Sequence, residues 1–227
     1  MSEAGSGRAG VSWWPWSSGR SPGEATPGAG SPGAAVGTKA LAKFVSVLAG
    51  KEAPVLLDLG PVVGANVAFF GERLGCKIFV EDLYGDLERL SKARKLDELP
   101  TFLEGRFDRP DGSVEGVLCW DLFDYLARPA AEALAGRLTR LLRPDGVLLA
   151  FFSTLPPGDP QYTKYRIVDE THLEQSAYPA SCPRQPALAN RDIGRLFDGL
   201  VVAESFLLLT KTREMLFRKP LGNKLTA

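Results

Sequence analysis

The chain of 227 residues has one histidine, two methionines and three cysteines, and its 27 basic residues equal its 27 acidic ones. Each scarcity removes a class of function. A single histidine, His172, excludes a multi-histidine metal centre within the chain. Cys76, Cys119 and Cys182 are far apart and match no metal-ligand spacing. Cys76 and Cys119 lie in apolar stretches, as buried reduced thiols of a cytoplasmic protein do. A net charge of zero with interspersed signs gives no general field for polyanions, so nucleic acid is not an expected partner. No apolar run approaches the roughly 20 residues that cross a membrane, and the first residues carry no apolar stretch of secretory type. The expectation is a cytoplasmic chain with one domain and a tail.

Residues 1–37 are rich in Gly, Ser and Pro and contain no Leu, Ile or Phe. Such a segment buries too little apolar surface to offset its ordering entropy, so it reads as a disordered arm. Trp13, Trp14 and Trp16 stand out in it as an aromatic handle for a protein partner. Residues 38–227 form the folded domain on this reading.

In that domain helical and strand patterns alternate. Leu41, Phe44, Val45 and Leu48 mark one helical face, with Thr38 as its expected cap and Gly50 as its end. Val55 to Leu59 is a buried strand, Lys77 to Val80 a second, Thr101 to Leu103 a short third, Gly116 to Trp120 a fourth and Val147 to Phe152 a fifth. Helices are expected between them, one around Val67, Phe70 and Leu74 closed by Gly75. Pro144-Asp145-Gly146 reads as a turn before the fifth strand. Residues 153–189 read as an irregular lid carrying Tyr162, Tyr165, Arg166, His172, Tyr178 and Arg184. A short helix capped by Asn190 follows, then a hairpin of Leu200 to Leu209 and Arg213 to Phe217. The alternation implies an α/β fold, a doubly wound, mostly parallel sheet ending in an antiparallel hairpin.

In such a sheet a ligand lies beyond the carboxyl ends of the strands, where their order reverses. Three segments are expected there. Asp58-Leu59-Gly60-Pro61-Val62-Val63-Gly64 is a loop whose glycines let backbone approach a ligand, with Asn66 bonding within it from the next helix. Glu81-Asp82 follows Asp58 by about the 20 residues that place an acid on ribose hydroxyls. Glu81 is the better ribose candidate; Asp82 also suits the cap of the following helix. Cys119, Trp120 and Asp121 end the fourth strand and face the reactive end of a ligand.

Together these segments resemble the class I S-adenosylmethionine-dependent methyltransferases over about residues 38–219. The matching pieces are the loop to Gly64, Ile78 to Asp82, Gly116 to Leu126, Leu141 to Phe152 and the terminal hairpin. The resemblance implies a Rossmann-like sheet of seven strands and S-adenosylmethionine as cofactor. It implies a methyltransferase acting on a small molecule. Asp58, Gly60, Pro61, Gly64 and Asn66 would hold the methionine part, Glu81 and Asp82 the ribose, and Cys119 and Trp120 would complete the pocket. Asp121 and Tyr165 are the candidates for orienting the substrate. Val62 stands where the family usually has glycine, and Pro61 removes a backbone donor, so cofactor binding is expected to be micromolar or weaker.

The rival reading is a non-catalytic relative that uses the fold and the tryptophan arm to bind a protein. A nicotinamide-linked oxidoreductase is disfavoured because no G-x-G-x-x-G loop opens a helix.

Overall fold

A computed structural model describes residue 33 and residues 35–222. Most of the arm expected to be disordered over residues 1–37, with Trp13, Trp14 and Trp16, lies outside those residues; where the arm is described, Ala35–Gly37 form a strand instead. Fifteen helices and strands follow in chain order, counting strands Ala35–Gly37 (β1), Val55–Asp58 (β2), Lys77–Val80 (β3), Val114–Trp120 (β4), Leu142–Ser153 (β5), Gln161–Asp169 (β6), His172–Pro179 (β7), Val201–Leu207 (β8) and Thr212–Arg218 (β9). The helices are Ala40–Ala49 (α1), Gly64–Leu74 (α2), Leu83–Lys92 (α3), Leu99–Gly105 (α4), Arg128–Leu141 (α5) and Asn190–Leu196 (α6).

The main sheet has the order β3-β2-β4-β5-β9-β8. β3, β2, β4 and β5 run parallel, while β9 is antiparallel to both β5 and β8. The chain moves outward from β2 to β3 and returns to the other side of β2 as β4. That reversal fixes the crevice between the carboxyl ends of β2 and β4.

Strand alternation splits the core into two faces. Leu57, Val117 and Cys119 point to the face covered by α3, α4, α5 and α6, with Leu87, Leu103, Leu138 and Phe197 packed there. Leu56, Leu118 and Trp120 point to the opposite face, against Phe44 and Leu48 of α1 and Phe70 of α2. β5 is buried from Val147 to Phe152, as a strand covered on both sides must be.

The structure corrects several expectations. Thr101 to Leu103 is helical, inside α4. Leu99 and Leu103 are buried four residues apart, so the apolar pattern has the helical period, and Pro100 suits a first turn. The main sheet consequently has six strands, and β3 is its edge. The lid is not irregular either: β6 and β7 form a long antiparallel hairpin, joined by β1 into a separate sheet of order β1-β7-β6. Its buried positions, Tyr162, Tyr165 and Ile167, do not alternate strictly, which hid the strand. Pro144-Asp145-Gly146 is absorbed into β5 as an irregularity, with Asp145 at φ 67°.

Two helix caps differ as well. Thr38 does not cap α1; its hydroxyl oxygen is buried without a partner. Glu214, from β9, takes that place, its Oε2 accepting from the Lys39 and Ala40 backbone N–H groups, both at 2.8 Å. Asn190 is the first residue of α6, and the cap position is Ala189, without a side-chain bond. Gly75 does end α2 in the left-handed region, at φ 61°.

Candidate functional site

Parallel pairing brings the tips of β2, β3 and β4 together. The Glu81 N–H donates to the Asp58 carbonyl at 2.8 Å, and the Leu59 N–H to the Leu118 carbonyl at 2.9 Å. The Asp58 side chain is buried at the centre. Its Oδ1 accepts from the Gly60 backbone N–H at 2.9 Å and from Trp120 Nε1–H at 2.7 Å. Burial pushes the Asp58 carboxyl up to about 6; the Gly60 and Trp120 bonds oppose that rise, and nearby Asp82 adds to it.

Gly60 has a specific steric duty. A Cβ on it would lie 2.7 Å from Trp120 Cδ1 and 2.8 Å from Nε1, closer than such atoms approach. The glycine permits a close backbone approach, but what approaches is the protein's own indole. Gly64 has open space where a Cβ would stand and simply begins α2. Pro61 lies half-buried in the loop, and Val62 is 66% exposed.

Trp120 is the residue around which the site is arranged. It ends β4 beyond a register shift against β5, at φ 51°. A bulky residue in the left-handed region is an outlier that its surroundings must hold in place. Its ring stacks on Tyr165 at 5.2 Å between centroids and 7° between planes, and meets Phe151 edge-on at 5.8 Å. Tyr165 comes from β6 of the hairpin, and Asn66 of α2 clasps that strand. Asn66 Nδ2 donates to the Tyr165 carbonyl at 2.9 Å, and Asn66 Oδ1 accepts from the Ile167 N–H at 2.8 Å. Asn66 therefore bonds to the hairpin rather than within its own loop.

Glu81 reaches the tip of β3 as expected, and there it meets Arg106. Arg106 Nη1 donates to Glu81 Oε2 at 2.7 Å, Nη2 to the Glu81 carbonyl at 3.3 Å, and Nε to Asp86 Oδ2 at 2.8 Å. Arg106 follows α4, the helix that stands where a third strand was expected. One arginine after a helix carries no pattern, and only the fold brings it to Glu81. Asp82 caps α3, its Oδ1 accepting from the Gly85 N–H at 3.1 Å.

Asp121 is buried just past β4, and its Oδ1 accepts from the Tyr84 hydroxyl at 2.5 Å. Burial raises its carboxyl above the ordinary range, with the Tyr84 bond opposing. Asp124 lies one turn further on. Burial and the nearby Asp121 push its carboxyl up to about 8, against the Ser153 N–H and Arg184. Tyr84, Tyr125 and Tyr162 pack edge to edge over this pair of acids, at 4.8 to 6.0 Å between ring centroids. Sequence reading missed Tyr84, Tyr125 and Asp124. Cys119, expected in the pocket, is fully buried on the sheet face opposite Trp120, in the same cluster as Tyr84 and Tyr125, where burial pushes its thiol well up.

Several polar groups of the hairpin are paired, while the Tyr178 hydroxyl is buried without a partner among the described residues. Arg166 pairs with Glu174, His172 Nδ1 lies 3.2 Å from Asp169 in the turn, and the Tyr162 hydroxyl donates to Glu88 at 2.8 Å. Arg184 faces Asp124 and Tyr125. Beside the acids, between α5 and α6, a cavity of about 290 Å³ is lined by Phe123, Asp124, Leu126, Arg128, Gln185 and Leu188.

The kinds of residue present suit a nucleoside-bearing cofactor: a glycine loop, an acid at the tip of the next strand and a further acid after β4. The space does not. As the side chains stand, the indole takes the space beside Gly60 and Arg106 bonds Glu81 Oε2, so the crevice would have to open before it held S-adenosylmethionine.

No family model matches the chain, and no curated protein matches it. Solved structures do. The Burkholderia thailandensis 1,6-didemethyltoxoflavin-N1-methyltransferase, with 1,6-didemethyltoxoflavin and S-adenosylhomocysteine bound, is 16% identical at a TM-score of 0.47, over 80% of this chain and 77% of that one. A sarcosine dimethylglycine methyltransferase, so assigned provisionally, from Galdieria sulphuraria is 16% identical at 0.47, over 78% and 82%. A SAM dependent methyltransferase from Aquifex aeolicus is 13% identical at 0.48, over 78% and 88%. Its own strand order, its reversal between β2 and β4 and its terminal antiparallel pair give this chain a doubly wound, mostly parallel α/β fold.

Proposed function

We propose that the chain is an S-adenosylmethionine-dependent methyltransferase for a small molecule. One observation carries the reading. Three adjacent parallel strands, β3, β2 and β4, deliver Glu81, Asp58 and Asp121 to one crevice at the topological switch point. S-adenosylmethionine would supply an already activated methyl group, leaving the protein to position and desolvate the acceptor. Asp58 and Gly60 belong to the methionine side, Glu81 to the ribose side, and Asp121 with Tyr165 to the substrate side.

Titration calorimetry with S-adenosylhomocysteine tests the cofactor assignment. Binding is expected in the micromolar range or weaker, and Glu81→Gln should weaken it by about tenfold, the loss of one charge-assisted bond. No heat from wild type or from any variant that opens the crevice refutes the reading. A second reading is favoured by the indole in the crevice: the fold serves as a non-catalytic protein-binding module, with Trp13, Trp14 and Trp16 as its handle. It requires a partner whose capture is lost when those three residues become alanine and is indifferent to cofactor.

A further inference from the structure

We infer that Trp120 and Tyr165 form a built-in stopper, and that a ligand reaches the glycine loop only when the β6–β7 hairpin withdraws; the inference rests on the cofactor reading given under Proposed function. Four observations converge on it. The indole lies where Gly60 presents bare backbone, so near that a single added carbon would collide with it. It is tied down by its bond to Asp58, the acid that orders the loop. It is covered by the parallel face of Tyr165, and both rings meet Phe151 edge-on. Its backbone is held at φ 51°, a conformation an L residue adopts only under restraint.

The hairpin is the part that has to move, and its withdrawal would uncover Tyr165 and Ile167, which are buried against the sheet. Among the described residues β6 pairs only with β7, and its other edge is clasped by the two Asn66 bonds. Swinging β6 away from α2 breaks these two bonds, while β7 keeps its pairing with β1. Removing Tyr165 from the stack uncovers the indole, and swinging the indole out frees both Gly60 and one acceptor site on Asp58. The stopper excludes a ligand by occupancy, so the apparent affinity falls by the fraction of molecules that stand open.

The test uses the full chain and S-adenosylhomocysteine in titration calorimetry. Trp120→Gly removes the indole and suits the left-handed backbone; Asn66→Ala releases the hairpin and leaves the indole in place, which covers failure of the first variant to fold. Both should bind at least about tenfold more tightly than wild type. Hydrogen exchange at the Ile167 amide should quicken in Asn66→Ala and, on adding S-adenosylhomocysteine, in wild type. Wild type binding as tightly as either folded variant overturns the stopper and leaves the cofactor reading intact. Binding by none of the three overturns the cofactor reading, and the stopper with it.

Discussion

Replacing Asp58 by asparagine should change how stability depends on pH, and the structure sets the size of the change. The Asp58 carboxyl titrates at about 6 in the fold against an ordinary 3.8. Between those values the folded chain holds a proton that the unfolded chain has lost. Stability is therefore fullest below the ordinary value, falls as pH rises through the window, and is lowest above about 6. At about 1.4 kcal/mol per pH unit, the full loss is about 3 kcal/mol. The amide of Asp58→Asn keeps one oxygen able to accept from both Gly60 and Trp120, since both donate to the same Oδ1. It cannot ionise, so this part of the slope disappears. The measurement is urea unfolding of both proteins at pH 4, 6 and 8. The variant should gain on wild type by up to about 3 kcal/mol from the acid end to the alkaline end, whatever its offset at pH 4. Other titrating groups, Asp124 included, are present in both proteins and cancel. A variant-minus-wild-type difference that stays flat with pH refutes both the burial of the charge and its assigned cause.

Three further outcomes follow from single contacts. Gly60→Ala should destabilise the chain by about 1–3 kcal/mol through displacement of the indole, read as a lower urea midpoint; an unchanged midpoint would show that the indole does not press on the loop. Asn66→Ala leaves the Ile167 N–H and the Tyr165 carbonyl without partners, at a cost of about 2–4 kcal/mol for two buried groups. Thermal unfolding measures it, and a loss below about half a kcal/mol would mean the hairpin is not held by this clasp. Glu214→Ala removes the carboxylate that caps α1, and a loss of about 2 kcal/mol is expected. Glu214→Gln should recover much of it, and equal losses in the two variants would argue against the cap.

Periodicity made most of the fold legible. Runs such as Val147 to Phe152 are apolar at every position, which only a strand covered on both faces needs, and the helix-period leucines of α3 and α5 repeat every three or four residues. Asp58, Glu81 and Asp121 were legible too, because each ends an apolar strand and a strand's end is where a polar side chain meets the crevice. Leu99 to Gly105 was not, because a short segment with two leucines fits either period and its neighbours decide. The hairpin was hidden because its buried tyrosines lie against helix α2 and the cluster around Asp121, contacts made across about a hundred residues of sequence, as the Asn66 bonds show.

What the sequence determined by itself, then, is local: the type of the strongly periodic segments, that they alternate, and that a glycine loop and an acid stand at the tips of adjacent strands. Backbone preference and apolar period are properties of neighbouring residues and can be read without a partner. What the tertiary structure alone decided is occupancy. Glu214 caps a helix 174 residues away, Arg106 takes Glu81, and Trp120 takes the space above Gly60. Each of these is a competition between a side chain and a ligand or cap for one place. Its outcome depends on distances of a few ångströms between residues far apart in the chain.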